Sequence, residues 1–136
     1  MRVVVDTNVV AYYLLGTEAF VAEASGFWRG VTQPIAPALW EAELANVVWM
    51  AARAKVLPAA DALRRLSLAA ALGIESVSSK TLWYGALAKA VSSGVAVYDT
   101  LFVELAVRED VPLATFDARL LKAFPDIARR PSALSG

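Results

Sequence analysis

The chain has 136 residues, the length of one domain with a substantial core, and 58% of them are hydrophobic against 19% charged. That is too apolar for a disordered chain, and apolar enough to leave a surface for a partner or a second copy to cover. Thirteen basic and thirteen acidic side chains cancel to a formal net charge of zero, so a broad cationic face for long nucleic acid is not expected, while a local patch stays open.

Residues 2–5 include three valines and predict a buried parallel strand. Thr7 and Asn8 suit a helix cap, with a helix over 9–15 and a stop at Gly16. A helix over 18–28 and a strand over 33–36 follow. Pro37 starts a long helix to about Lys55, and Pro58 starts another to about Leu72, the two forming an antiparallel pair. A strand over 74–77, helices over 80–92 and 99–109, a strand over 112–115 and a helix over 118–124 complete the pattern. The tail, 126–136, is either an edge strand or mobile. Strands alternating with helices define an α/β fold with a mainly parallel central sheet. No repeat or linker interrupts residues 1–136, which read as a single domain. The longest charge-free stretches, 7–17 and 30–40, fall short of the ~18 residues of a membrane span. The apolar run at the start is too short for a signal peptide, so a cytoplasmic protein is expected.

The missing residue types narrow the chemistry. Without cysteine, thiolate nucleophiles and Cys-ligated zinc are excluded; without histidine, so are Ser-His-Asp triads and His-ligated metals. Any enzyme here works with carboxylates, Lys, Tyr, hydroxyls or a metal held by oxygen, which suits Mg2+ or Mn2+. Amide side chains occur only at Asn8, Gln33 and Asn46, a sparing use of labile residues that suggests a thermophile's protein.

Four carboxylates stand out by position. Glu43 shares a helix face with Leu39, Trp40, Val47 and Met50, all within about 60° of it. A charge there costs several kcal/mol unless compensated, either by a function or by an arginine or water at the edge of the stripe. Asp99 shares a face with Phe102, Val103 and Ala106, with Glu104 and Arg108 on the other side; the alternative is a helix cap. Asp117 follows a strand and precedes a helix, again a natural cap, and Asp6 closes the first strand, where a turn is the ordinary role. Asp6 and Asp117 both lie just beyond the C-terminal ends of strands, where open parallel sheets bind ligands. If Glu43 and Asp99 reach the same crevice, protons or divalent cations must neutralise the four. Periodicity leaves open whether they meet.

In this order, Val3-Val4-Val5-Asp6-Thr7-Asn8, Glu43-Leu44-Ala45-Asn46, Tyr98-Asp99-Thr100-Leu101-Phe102 and Leu113-Ala114-Thr115-Phe116-Asp117 resemble the PIN-domain nucleases, in particular the small VapC-type toxins. The resemblance spans nearly the whole chain. It implies a PIN-like three-layer fold, with Asp6, Glu43, Asp99 and Asp117 as an acidic quartet binding Mg2+ or Mn2+. It further implies Thr7 and Thr115 as supporting hydroxyls and Asn8 and Asn46 as polar neighbours of the acids. Trp49 and Met50 are bulkier than the family's usual residues, a departure expected to bear on packing. The implied activity is endonucleolytic hydrolysis of RNA phosphodiester bonds, with Asp6 and Asp99 as principal ligands and Glu43 as general base. The implied partner is a VapB-type antitoxin, and an acidic pocket suggests blocking by an inserted Arg or Lys; the apolar composition and the many aromatics suggest a homodimer or higher homo-oligomer.

Arg53, Lys55, Lys80, Lys89 and Arg119 are candidate phosphate contacts, with ordinary solvated charge as the alternative; Arg64, Arg65, Arg129 and Arg130 read as surface. Trp28, Trp40, Trp49, Trp83, Tyr12, Tyr13 and Tyr84 are core candidates, some of them available to an interface. Two other acidic families fit less well. A haloacid-dehalogenase-like phosphatase needs Asp where Asn8 stands, and a response-regulator receiver needs an acidic pair after the first strand, where Asp6 is alone. The remaining alternative is an inert PIN-like module that binds partners or RNA.

Overall fold

The computed structural model describes residues 1–135. β1 (Arg2–Val5), β2 (Gln33–Pro37), β3 (Glu75–Val77), β4 (Leu113–Ala114) and β5 (Ala128–Arg129) form one five-stranded sheet in the order β3-β2-β1-β4-β5, every pair parallel. β1 is central, and Val3, Val4 and Val5 are fully buried, because helices cover both faces of the sheet. The chain builds outward from β1 to β3 on one side, then returns to lay β4 and β5 on the other. Strand order therefore reverses at β1, and the crevice beyond the C-terminal ends of β1 and β4 is the place where such sheets receive ligands.

α1 (Thr7–Leu15), α2 (Val21–Gly30), α3 (Leu39–Arg53) and α4 (Ala59–Ala70) pack with one another on one side. α5 (Trp83–Ser93) follows a single 3-10 turn (Ser79–Thr81) and lies on α6 (Val97–Glu109), which rests on β1, β2 and β4. α7 (Ala118–Ala123) joins β4 to β5, and α8 (Pro131–Leu134) docks on α2. Phe27, Ile35, Leu44, Phe102, Leu105 and Leu113 fill the core between the layers.

Several boundaries differ from those expected. α1 begins at Thr7, because Asp6 rather than Thr7 or Asn8 is the cap: its carboxylate accepts from the Thr7 amide at 2.8 Å. The helix does stop at Gly16, which caps it at φ 64°, the left-handed conformation that glycine adopts without strain. α2 starts at Val21, since residues 17–20 form a turn in which the Thr17 carbonyl takes the Phe20 and Val21 amides. α6 starts at Val97, so Asp99 lies inside its first turn and is not its cap. The tail supplies the edge strand β5 and also α8, tied down by Arg130, which donates to Glu23 at 2.6 Å. Among the described residues no single helix is long and apolar enough to cross a membrane.

Candidate active site

Asp6 extends β1 by one residue. Its amide donates to the Ala114 carbonyl of β4 at 3.0 Å, which sets its side chain directly beside that of Thr115. The Thr115 hydroxyl donates to Asp6 Oδ2 at 2.7 Å and accepts from the Asp117 amide at 2.9 Å. Thr115 is fully buried and so acts as a clasp between the two strand ends. Asn8 adds a second clasp. Its amide group donates to Asp6 Oδ2 at 3.3 Å and to Thr115 Oγ1 at 3.4 Å, while its carbonyl oxygen accepts from the Phe116 amide at 3.1 Å. Asp117 caps α7, accepting from the Arg119 amide at 2.8 Å.

Glu43 projects from the second turn of α3 and accepts from the Thr7 hydroxyl through Oε1 at 2.8 Å, which ties α3 to the start of α1. Asp6, Glu43, Asp99 and Asp117 all line one crevice of about 350 Å³, with Thr7, Asn8, Ala11, Tyr12 and Val47 making up its remaining walls. Among the described residues none of the four forms a salt bridge. The arginine partner considered for Glu43 and the capping role considered for Asp99 are both absent.

The electrostatics follow from this crowding. Asp6 is 6% exposed, and burial pushes its carboxyl up to about 7; Asp99 and Glu43 add repulsion, against the bonds from Thr115 and Thr7. Burial likewise raises Glu43, with Asp99 adding to it and the Thr7 hydroxyl opposing. Asp99 is raised by burial and then by Asp117, with Arg119 as the one cation easing it. Each acid makes its neighbours harder to ionise, as a site lacking positive charge must.

A hard divalent cation fits this set in chemistry, since all donors are oxygens and the crevice carries excess negative charge. Its geometry is less complete: among the described residues no three acidic side chains are arranged to hold one ion together. Side-chain rotation or bridging water would be needed.

Asn46 does not reach the crevice. It is exposed, and its amide points along α3 to the Met50 sulfur at 3.6 Å. Trp49 and Met50, expected to bear on packing, are 54% and 55% exposed. Of the basic candidates, Lys89 is taken by Glu104 at 2.6 Å and Arg53 lies over the Trp49 ring, while Arg119 has its charge near Asp99. Glu104 itself, placed by periodicity on the polar side of its helix, is buried between Lys89 and Arg108. Tyr12, a core or interface candidate by sequence, is instead a wall of the crevice. It stacks on Phe20 with ring centroids 4.5 Å apart, and its position one turn after Asn8 was the available signal.

No curated protein matches the chain. The PIN domain, whose members are generally nucleases and typically use divalent metal ions, matches residues 3–126, from the strand ahead of Asp6 to beyond Asp117. With nearly the whole sequence matched, and a parallel sheet bearing an acidic crevice at its switch point, the chain belongs to the PIN domain family.

Proposed function

We propose that this chain, acting as one domain over residues 1–136, is a Mg2+- or Mn2+-dependent endoribonuclease and the toxin of a VapBC-type pair. The observation that carries the reading is four carboxylates lining one crevice with no cation partner of their own among the described residues. Asp6 and Asp99 are the principal ligands for a divalent ion, with Glu43 and Asp117 completing the set directly or through water. When bound, such an ion supplies a polarised phosphate and a more acidic water.

The remaining work falls to the chain. Glu43 keeps Oε1 on the Thr7 hydroxyl, which leaves Oε2 to receive a proton from the attacking water. Thr115 and Asn8 hold the Asp6 carboxylate in one orientation, so the rotation or bridging water needed to gather an ion would fall to the other acids. Arg119, whose charge acts on Asp99, would attract a phosphate of the RNA. A VapB-type antitoxin would block the site by inserting an Arg or Lys among the acids, and the toxin would work as a homodimer or higher homo-oligomer.

The test is cleavage of RNA with Mg2+ or Mn2+, with EDTA, and with Asp6→Asn. Cleavage that survives both chelator and substitution refutes the metal mechanism. The second reading, an inert partner- or RNA-binding module, draws on the lack of three acids arranged around one ion. It wins if RNA binds and is never cut.

A further inference from the structure

The crevice that gathers the four acids has a second kind of lining. Ala11 and Tyr12 of α1 and Val47 of α3 contribute no charge, and Tyr12 is the one aromatic ring among the lining residues. The ring is only partly buried, and its hydroxyl has no hydrogen-bond partner among the described residues and is open to solvent. Behind it the packing is fixed. Phe20 stacks on Tyr12 with centroids 4.5 Å apart and planes 15° from parallel, and Phe116 meets it tilted at 5.4 Å. Phe20 and Phe116 meet each other at 4.9 Å, which closes a triangle of rings. The Arg130 guanidinium lies 4.9 Å from the Phe116 centroid and 5.9 Å from that of Phe20, and Glu23 holds it at 2.6 Å. Phe116 itself stands between Thr115 and Asp117 and donates its amide to Asn8, so the loop that delivers Asp117 also backs the ring. Tyr12 is thus set in place before anything binds.

We infer that Tyr12 carries the base of the RNA nucleotide next to the phosphate that meets the acids. A nucleotide has two ends of unlike chemistry, a charged phosphate and a flat, uncharged base. The crevice has lining of both kinds, acids that take a phosphate through a cation and one fixed aromatic ring. A tyrosine used for packing alone is covered on every side and bonds its hydroxyl; Tyr12 meets neither condition. Every base has a π face, so such a ring accepts all four and holds purines better, because they overlap more of it. Tyr12 therefore sets a preference for purine at one position beside the cut, and it does so through its ring rather than its hydroxyl.

The inference rests on the proposed cleavage of RNA, and two measurements separate their fates. The first is cleavage of a random-sequence single-stranded RNA pool with Mg2+, counting the bases that flank each cut. That count is independent of how much protein is folded. A several-fold purine preference is expected at one flanking position in wild type. Tyr12→Leu is expected to flatten it and to raise KM on the order of 10-fold, while Tyr12→Phe keeps both. The second measurement needs no cutting. In Glu43→Gln, which lacks the proposed base, an oligouridine with one 2-aminopurine placed at each position in turn is expected to bind. Its fluorescence is expected to be quenched at one position, and adding Tyr12→Leu should remove most of that quenching.

A flanking preference unmoved by Tyr12→Leu, or one lost equally in Tyr12→Phe, overturns the inference and leaves the nuclease standing. Quenching that depends on Tyr12 in a chain whose wild type cuts no RNA refutes the nuclease and keeps the base contact. RNA neither cut nor bound refutes both. If circular dichroism shows that Tyr12→Leu does not fold, Tyr12→Trp takes its place. Its larger ring is expected to sharpen the purine preference, and no change there overturns the inference as well.

Discussion

Two groups of carboxylates on α6 and its neighbours face opposite circumstances. Glu104 is buried, yet Lys89 meets one of its oxygens at 2.6 Å and Arg108 the other at 2.7 Å. Burial pushes its carboxyl up, but those bonds outweigh burial and hold it below the ordinary range. One and a half turns earlier on the same helix, Asp99 looks into a crevice with three more acids and no paired cation, and its carboxyl is raised. The chain thus supplies counter-charge where an acid holds helices together and withholds it where four acids face one space. A buried acid with its cations in place is architecture; a group without them is poised for a cation from outside.

The sharpest way to break that contrast is Asp6→Asn. Cleavage of RNA is expected to fall by on the order of 10²–10⁴-fold, while the metal-free fold keeps or gains stability, since a repelled buried charge is removed. An assay paired with a thermal melt checks both, and a stability loss with cleavage intact would make Asp6 architectural like Glu104. Thr115→Val removes the hydroxyl that clasps Asp6 and Asp117 and should cost about 10–100-fold in divalent-ion affinity or activity, read by titration.

Glu104→Ala should do the reverse, costing about 2 kcal/mol in denaturant unfolding and leaving cleavage unchanged. Gly85→Ala should cost about 1–3 kcal/mol, and the double variant less than the sum, because the alanine methyl clashes with the very carboxylate that Glu104→Ala removes.

The smallest effect is in pH. Asp6 keeps its proton up to about 7 in the fold and releases it near the ordinary carboxylate value when unfolded. Its contribution to metal-free stability is complete at low pH and is lost as pH rises through about 7. Glu23 behaves oppositely. The bond from Arg130 lowers it to about 2, so its contribution is present above the ordinary range and lost as pH falls toward that value. Melting temperatures of wild type and Asp6→Asn, compared from pH 5 to 8, isolate the first; a difference that does not change with pH would contradict it.

The strands were legible because buried parallel strands read as short valine- and isoleucine-rich runs, and residues 2–5 carry that signal undiluted. Asp6 and Asp117 could be placed for the same reason, since a strand end locates whatever follows it. Glu104 was misplaced because α6 is covered by α5 on one side and the sheet on the other. Residues 100–106 are all buried, so the helix has no wet face for periodicity to find. Asn46 was misplaced for a different reason. It lies three residues after Glu43, near enough on a helical wheel to share its crevice, and only packing shows it turning toward Met50. The start of α6 was missed because an aspartate in the first turn and an aspartate cap look alike in sequence.

The strand order carries a consequence for biosynthesis. β1 is made first, but its lasting neighbour on one side, β4, is made fourth, and the clasp from Thr115 to Asp6 joins residues 109 positions apart. A polypeptide still on the ribosome therefore lacks Asp117 and the Thr115 clasp of its pocket until residues 113–117 emerge and dock. The pocket is completed late, and no reaction that needs all four acids can begin while residues 113–117 are still to be made.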